Sequence, residues 1–164
     1  MASRPLAVRL LEQRGIAHEV FAFDASIRSA DDVARATGVP PSAVYKTLVV
    51  EQDPPKGKPY LVMMPSVSEI DLKVLAAALG VKKLRMASHR DAERHTGLQV
   101  GGISPLALLD RRLPTLIDER ALAEDRVLVS AGQRGMDVSI SVSDLIALTG
   151  ARPVRAVAGS GAVG

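Results

Sequence analysis

Residues 43–50 read AVYKTLVV, an apolar run with a single charge at Lys46. Its β-branched and aromatic residues favour a strand, and strand alternation places Lys46 on the same face as Val44, Leu48 and Val50. An ammonium group in an apolar sheet must reach water, find a partner or lose its proton. Lys46 therefore either projects into a pocket that holds an anionic or carbonyl-bearing ligand, or protects an edge strand from aggregation. The run alone leaves both interpretations open.

The segments around this strand predict interleaved helices and strands. The turn sequence DPPKG at 53–57 predicts a hairpin between residues 43–50 and a return strand at 60–64. Caps and periodicity predict helices that begin at Ser3, Ser29, Asp71, Ser88 and Ser143 and end at or beside Gly15, Gly38, Gly80, Gly97 and Gly150. Further strands are predicted at 17–23, 115–118, 126–130 and 137–141. Alternating helices and strands with a hairpin predict an α/β fold with a mixed sheet.

Composition limits the organisation and the class of protein. The 164 residues, 47% of them hydrophobic, fit one domain, which we place at residues 1–150, followed by a flexible glycine-rich tail at 151–164. The absence of cysteine excludes disulfides and a cysteine nucleophile. A net charge of +3 mildly favours anionic partners. The short apolar stretch at residues 6–11 is interrupted by Arg9 and does not predict an export signal, so we expect a soluble cytoplasmic protein without a membrane span.

A glycine-rich loop is the second unusual segment. Residues 96–105 read TGLQVGGISP. Because Gly101 and Gly102 lack side chains, a ligand can approach their backbone closely, and their amides could bind a carbonyl oxygen or a developing oxyanion. A tight turn held by Pro105 explains the same residues, and both interpretations stay open.

A third candidate is the turn at residues 130–137, SAGQRGMD. It places Ser130 at the end of one strand and Asp137 at the start of the next, where polar side chains often line sites. An ordinary hairpin with a capping aspartate is the alternative.

Two common kinds of site are disfavoured. The three histidines lack metal-ligand spacing, and no Gly-x-Ser-x-Gly motif is present. We therefore expect neither a metal nor a cofactor, and a site built from one lysine and backbone amides remains.

Four motifs in order resemble one known family. They are VYKTL at 44–48, TG at 96–97 with VGGISP at 100–105, LPT at 113–115 with ID at 117–118, and RGMD at 134–137. Together they resemble the YbaK/EbsC family of aminoacyl-tRNA deacylases, which is related to the editing domain of bacterial prolyl-tRNA synthetases. The resemblance extends from the first predicted helix to about Gly150.

The resemblance implies a fold, an activity and a set of site residues. It implies a mixed, barrel-like sheet surrounded by helices, and trans-editing of mischarged tRNA, above all Cys-tRNA(Pro). The implied partners are tRNA(Pro) and prolyl-tRNA synthetase. By position, Lys46 matches the essential lysine and Gly101 the substrate-loop glycine, while the implied substrate-binding residues are Phe23, Tyr45, Thr47, Gly102, Ser130 and Asp137.

The implied mechanism needs no nucleophile from the protein. The thiol of a substrate cysteine attacks its own ester carbonyl, so the protein only positions and polarises the ester. Phe23 stands where relatives can carry a tyrosine, which leaves the acyl preference open. The alternatives are a deacylase for alanine or serine that uses water, and a non-catalytic module that binds tRNA or a synthetase.

Overall fold

The computed structural model describes residues 4–158, which form five α-helices and eight β-strands. The helices are α1 (Leu6–Gln13), α2 (Ala30–Thr37), α3 (Leu72–Leu79), α4 (His89–Thr96) and α5 (Val142–Thr149). The strands are β1 (His18–Ala22), β2 (Tyr45–Gln52), β3 (Tyr60–Pro65), β4 (Leu84–Met86), β5 (Thr115–Asp118), β6 (Arg126–Gln133), β7 (Met136–Ser141) and β8 (Arg152–Val154). Within these residues, no helix has the length and apolar character needed to cross a bilayer.

The strands form two sheets. A mixed five-stranded sheet has the order β4-β2-β3-β5-β8, and an antiparallel three-stranded sheet has the order β1-β7-β6. The predicted hairpin is present, since β2 and β3 pair antiparallel. A single bridge between Val44 and Leu128 links the sheets, and the described strands do not form a closed barrel. The predicted mixed α/β class is confirmed, with the barrel-like sheet corrected to two linked sheets.

Strand β3 explains why the five-stranded sheet is stable. It lies between β2 and β5, and its residues Leu61, Val62, Met63 and Met64 are all at most 1% exposed. A strand covered on both faces needs a continuous apolar run in place of alternation. Burying such side chains contributes about 2 kcal/mol each.

Most helix ends follow the predicted caps. The Ser29 side chain accepts a hydrogen bond from the Asp32 amide at the start of α2, and Gly38 ends that helix in the left-handed conformation. Two of the predicted caps are not seen in this way. Ser141 caps α5, two residues before the predicted Ser143, because its side chain accepts a hydrogen bond from the Asp144 amide. The predicted Ser3 cap lies outside the described residues.

The chain beyond Ala151 differs from expectation. We expected a flexible tail there, but β8 pairs in parallel with β5 and extends the sheet. Val154 is buried, and the Ala156 amide donates a hydrogen bond of 3.0 Å to the buried carboxylate of Asp118. These contacts hold residues 152–157 on the domain, while residues 159–164 lie outside the described part.

Two apolar clusters flank the Lys46 strand. One packs Val33 of α2 against Val44 and Leu128, where the two sheets meet. Another packs Ile103 of the glycine loop against Val49. These clusters hold α2 and the glycine loop on β2, and a cleft opens between the two segments.

Candidate active site

A cleft of about 400 Å³ opens where the two sheets meet. Four segments form its walls: the chain from Phe23 into α2, strand β2, the glycine loop, and the turn between β6 and β7. Of the predicted site residues, those that line it are Phe23, Tyr45, Lys46, Thr47, Gly101, Ser130 and Asp137. Residues separated by more than 100 positions in the sequence therefore meet in one cavity.

Lys46 lies in this cleft and is half-buried. Its Nζ donates a hydrogen bond of 3.1 Å to the Ser68 carbonyl oxygen, in the segment after β3. Among the described residues it forms no ion pair. An ammonium carries three donors, so two remain for a ligand. Of the two interpretations drawn from the sequence, this geometry favours the pocket lysine.

The two adjacent glycines have different environments. Gly101 lines the cleft with φ of 94°, in the left-handed region that favours glycine. Gly102 is buried outside the lining, and its amide already donates to the Gln99 carbonyl oxygen at 2.8 Å. A Cβ at Gly102 would lie 2.8 Å from the Arg134 backbone nitrogen, so this glycine permits close packing of the loop on the turn. The Gly102 amide is therefore already used inside the loop, and its predicted contact with the substrate stays a prediction.

Ser130 and Asp137 are directly opposite each other on β6 and β7. The Ser130 hydroxyl accepts a hydrogen bond from the Gly132 amide at 3.1 Å, and the strand pairing is irregular between Ser130 and Gln133. Burial raises the pKa of the Asp137 carboxyl to about 6. The site thus holds a carboxylate that is ionised at neutral pH yet close to titration.

Tyr45 contributes mainly to the core. It is only 4% exposed and packs within the cluster that includes Leu106 and Ile117. Its hydroxyl has no hydrogen-bond partner among the described residues. Burial raises the pKa of Tyr45, and the nearby carboxylate of Asp118 adds to this effect. The tyrosine therefore stays neutral, and its predicted contact with the substrate stays a prediction.

Phe23 and Thr47 complete the predicted set and are both half-buried. The Phe23 amide donates to the Gly135 carbonyl oxygen at 2.9 Å, which ties this edge of the cleft to the β6–β7 turn. Apolar side chains from α2 and its approach, Ile27 and Val33, continue the Phe23 wall. The cleft therefore has an apolar part in addition to the polar Ser130 and Asp137.

Three cationic or titratable residues of the cleft were missed from the sequence. Arg28, His89 and Arg134 all line it. Arg134 Nε donates to the Val100 carbonyl oxygen at 2.8 Å, which orients its guanidinium beside the glycine loop. Isolated charged residues in loops carry no periodic signal, although Arg134 does begin the quoted RGMD motif. Within residues 4–158, no group of three or more His, Asp or Glu side chains is arranged to hold a metal ion.

Comparison with known proteins identifies the family. The family model described as "Aminoacyl-tRNA editing domain" matches residues 24–148. The chain belongs to the aminoacyl-tRNA editing domain family. The matched region contains every residue of the cleft except Phe23, which immediately precedes it. The resemblance drawn from the four motifs is confirmed.

Individual relatives of this editing-domain chain carry informative names. It is 34% identical over 145 residues to EbsC of Enterococcus faecalis, named as a Cys-tRNA(Pro)/Cys-tRNA(Cys) deacylase, and the match covers 87% of each chain. A proline–tRNA ligase of Geobacter metallireducens is 33% identical over 81 residues, 49% of this chain and 14% of the ligase. A crystal structure described as a trans-editing enzyme for prolyl-tRNA synthetase superposes with a TM-score of 0.81 at 28% identity, covering 96% of this chain and 100% of that one.

Proposed function

We propose that this protein hydrolyses the aminoacyl ester of mischarged tRNA in trans, with Cys-tRNA(Pro) as its preferred substrate. The observation that carries the proposal is the Lys46 ammonium, held in a cleft beside Gly101 and Asp137 with two donors free. Membership of the aminoacyl-tRNA editing domain family and the name of the EbsC relative support it.

Lys46 and Gly101 would position and polarise the ester. A fixed cation and a backbone amide stabilise negative charge that develops on a carbonyl oxygen during acyl transfer. Lys46 is held by the Ser68 carbonyl oxygen, so it needs little reorganisation when the substrate enters. The left-handed backbone at Gly101 favours glycine, and its missing Cβ leaves space in which the ester could meet the main chain beside the side chains of Arg28 and Arg134.

The reaction itself needs no nucleophile from the protein. The substrate thiol attacks its own carbonyl carbon, the C–S bond forms, and the C–O bond to the ribose breaks. The thiol proton ends on the released ribose oxygen, and the resulting thiolactone takes up water to give free cysteine. Asp137 is the only acidic side chain among the described residues that line the cleft, and its pKa near 6 suits it to carry this proton.

The apolar wall supports a preference for cysteine. Phe23, Ile27 and Val33 offer no hydrogen bond to a serine hydroxyl, whereas a thiol is a weak donor that tolerates apolar surroundings. Alanine would fit the wall but has no thiol, so its ester would require water as the nucleophile.

The proposal extends to organisation and location. We propose that the predicted domain at residues 1–150, together with strand β8 that completes its sheet, acts as one editing domain in the cytoplasm with the translation machinery. A domain of this size offers little surface for reading the body of a tRNA. Prolyl-tRNA synthetase is therefore the partner that we propose for delivering tRNA(Pro).

A panel of substrates tests the proposal. Cys-, S-methylcysteinyl-, Ala- and Ser-tRNA(Pro) are each incubated with the protein, and the remaining ester is measured over time. We expect rapid loss of the cysteinyl ester and little loss of the S-methyl ester, because methylation removes the attacking thiol. Equal hydrolysis of Ala- or Ser-tRNA would favour the water-dependent deacylase. Binding of tRNA without hydrolysis of any of the four would overturn the enzymatic assignment in favour of a binding module.

A further inference from the structure

Two arginines converge on Gly101 from different segments of the cleft. A Cβ built at Gly101 would lie 3.4 Å from Arg134 Nε and 3.9 Å from Arg28 Cζ. Arg28 comes from the chain before α2, and Arg134 from the turn between β6 and β7. The two guanidinium groups therefore flank the backbone of the glycine loop.

Asp137 lines the same cleft, but neither arginine is paired with a carboxylate among the described residues. Within residues 4–158, neither Arg28 nor Arg134 forms an ion pair, whereas other arginines of the fold do, among them Arg35 and Arg85. Arg28 is exposed, and an isolated exposed arginine is usually just hydrated. Arg134 is different, because the Val100 carbonyl oxygen holds its half-buried guanidinium in place. Two like charges close to one glycine, one of them held in place, make a site that an anion would stabilise.

The chemistry of the pair favours a phosphate. Guanidinium groups bind phosphate oxygens through forked, charge-assisted hydrogen bonds. An aminoacyl-tRNA brings such a group with its ester, since a phosphodiester joins the terminal esterified adenosine to the preceding nucleotide. The cleft has few aromatic side chains on which bases could stack, so the backbone is the part of the strand that it can hold.

We propose that Arg28 and Arg134 form a phosphate clamp that binds the phosphodiester on the 5′ side of the terminal adenosine. This inference rests on the proposed function and names how the same cleft recognises the nucleic-acid part of its substrate. The clamp anchors the strand at Gly101, which places the ester next to Lys46. It contributes binding affinity, while Lys46 acts on the reacting carbonyl.

The kinetic test compares two substrates that share the same ester. One is Cys-tRNA(Pro), and the other is 3′-O-cysteinyl-adenosine, which lacks the phosphodiester. We expect Arg28→Gln and Arg134→Gln each to raise KM for the tRNA about tenfold or more, as loss of a hydrogen bond to a charged group implies. For Arg28→Gln we expect kcat for the tRNA and kcat/KM for the nucleoside ester to stay within about twofold, because Arg28 does not hold the glycine loop. Arg134→Gln also removes the hydrogen bond to the Val100 carbonyl oxygen, so it is judged by KM and by the binding measurement alone.

Two control variants separate the clamp from general electrostatics. Arg90→Gln removes the same charge from an exposed position on α4 that does not line the cleft, and it should leave KM unchanged. Arg28→Lys keeps the charge but loses the forked pair of guanidinium donors. Its affinity for the tRNA should therefore lie between those of Arg28→Gln and the wild type. The clamp would be overturned if Arg28→Gln lowered kcat/KM equally for the tRNA and the nucleoside ester. It would also be overturned if Arg90→Gln raised KM for the tRNA as much as Arg28→Gln does.

A binding measurement keeps the clamp testable if the enzymatic assignment fails. Calorimetric titration of the wild-type protein compares the dinucleotide CpA with adenosine. We expect CpA to bind about tenfold more tightly than adenosine, and the difference to disappear in Arg134→Gln. Equal affinity of CpA and adenosine for the wild type overturns the clamp. Absence of deacylation with preserved CpA selectivity overturns the proposed function alone.

Discussion

The Lys46 ammonium donates its hydrogen bond to the Ser68 carbonyl oxygen, 22 positions along the chain and on the far side of the β2–β3 hairpin. The same serine receives a second cationic contact, because Arg120 Nη1 donates to its hydroxyl at 3.2 Å. The segment after β3 therefore fixes the lysine without neutralising it. A cation held in this way can act on a ligand, which is the relationship on which the functional proposal depends.

Asp137 should make the stability of the protein depend on pH. Its folded-state pKa of about 6 lies above the ordinary value of 3.8 because of burial, so the folded state binds the proton more tightly than the unfolded state. Stability that is present below pH 4 should therefore fall as the pH rises to about 6. Two pKa units correspond to about 3 kcal/mol. Denaturant unfolding at pH 4 and pH 7 measures the change.

Asp137→Asn supplies the matched comparison for this effect. The amide keeps the shape but does not ionise, so the stability of Asp137→Asn relative to wild type should increase by about 2 kcal/mol between pH 4 and pH 7. Taking the difference between variant and wild type cancels the other carboxylates. Parallel stability curves for the two proteins would contradict a raised pKa at this position.

Gly102→Ala should destabilise the fold and disturb the cleft. The added Cβ would meet the Gln133–Arg134 backbone at 2.8 Å, and neither segment can yield easily because the loop and the turn are packed together. Overpacking of this kind costs about 1–3 kcal/mol. Thermal unfolding should show the loss, and deacylation should fall with it, because Arg134 borders the cleft.

Gly38→Ala is the control for the glycine prediction. A Cβ there meets nothing within 4 Å, although φ is +77°. It should lower stability by about 1 kcal/mol through backbone strain alone and leave deacylation unchanged. A Gly102→Ala protein with wild-type stability would show that the loop does not press on the turn as described.

Tyr45→Phe should leave activity intact and raise stability. The hydroxyl is buried without a hydrogen-bond partner among residues 4–158, so its removal relieves a desolvation cost of about 1 kcal/mol. Thermal unfolding and deacylation of Cys-tRNA(Pro) provide the two measurements. A large loss of turnover at unchanged stability would instead return Tyr45 to the substrate-binding residues that the sequence predicted.

Phe23→Tyr should weaken the preference for cysteine over serine. The new hydroxyl would project from the apolar wall of the cleft and could pair with the hydroxyl of a seryl ester. One neutral hydrogen bond is worth about 1 kcal/mol, so the ratio of kcat/KM values should move about fivefold towards serine. An unchanged ratio would place the acyl group away from Phe23.

The sequence predicted the site better where the chemistry was local. Lys46 stood out as one charge in an apolar strand, and Gly101, Ser130 and Asp137 lay in glycine-containing segments for which a site and an ordinary turn both stayed open. All four line the cleft. In the sequence, Gly102 looked equivalent to Gly101, and only the packing distinguishes them. The Gly102 amide donates within the loop, and the absence of a Cβ there lets the loop pack on the Gln133–Arg134 backbone.

The sequence analysis missed two short strands, β8 and β4, that tertiary contacts stabilise. Strand β8 contains Arg152 and Pro153, which resemble a loop, and its pairing with β5 connects residues 36 positions apart. Strand β4 has only three residues in a basic segment, and its Arg85 is held by the Glu51 carboxylate on β2. Neither strand has enough alternation to be recognised alone. Arg28 was missed for the same reason, because only the folded chain brings it to Gly101.

Single-turnover deacylation of Cys-tRNA(Pro) by Lys46→Ala tests the central claim most directly. Lys58→Ala is the matched control, because Lys58 also donates to a backbone carbonyl, that of Arg111 at 3.1 Å, but lies outside the cleft. We predict that Lys46→Ala folds with a normal circular dichroism spectrum and loses rate by about a hundredfold to a thousandfold. Lys58→Ala should react like the wild type. A folded Lys46→Ala protein with near-normal turnover would contradict the account.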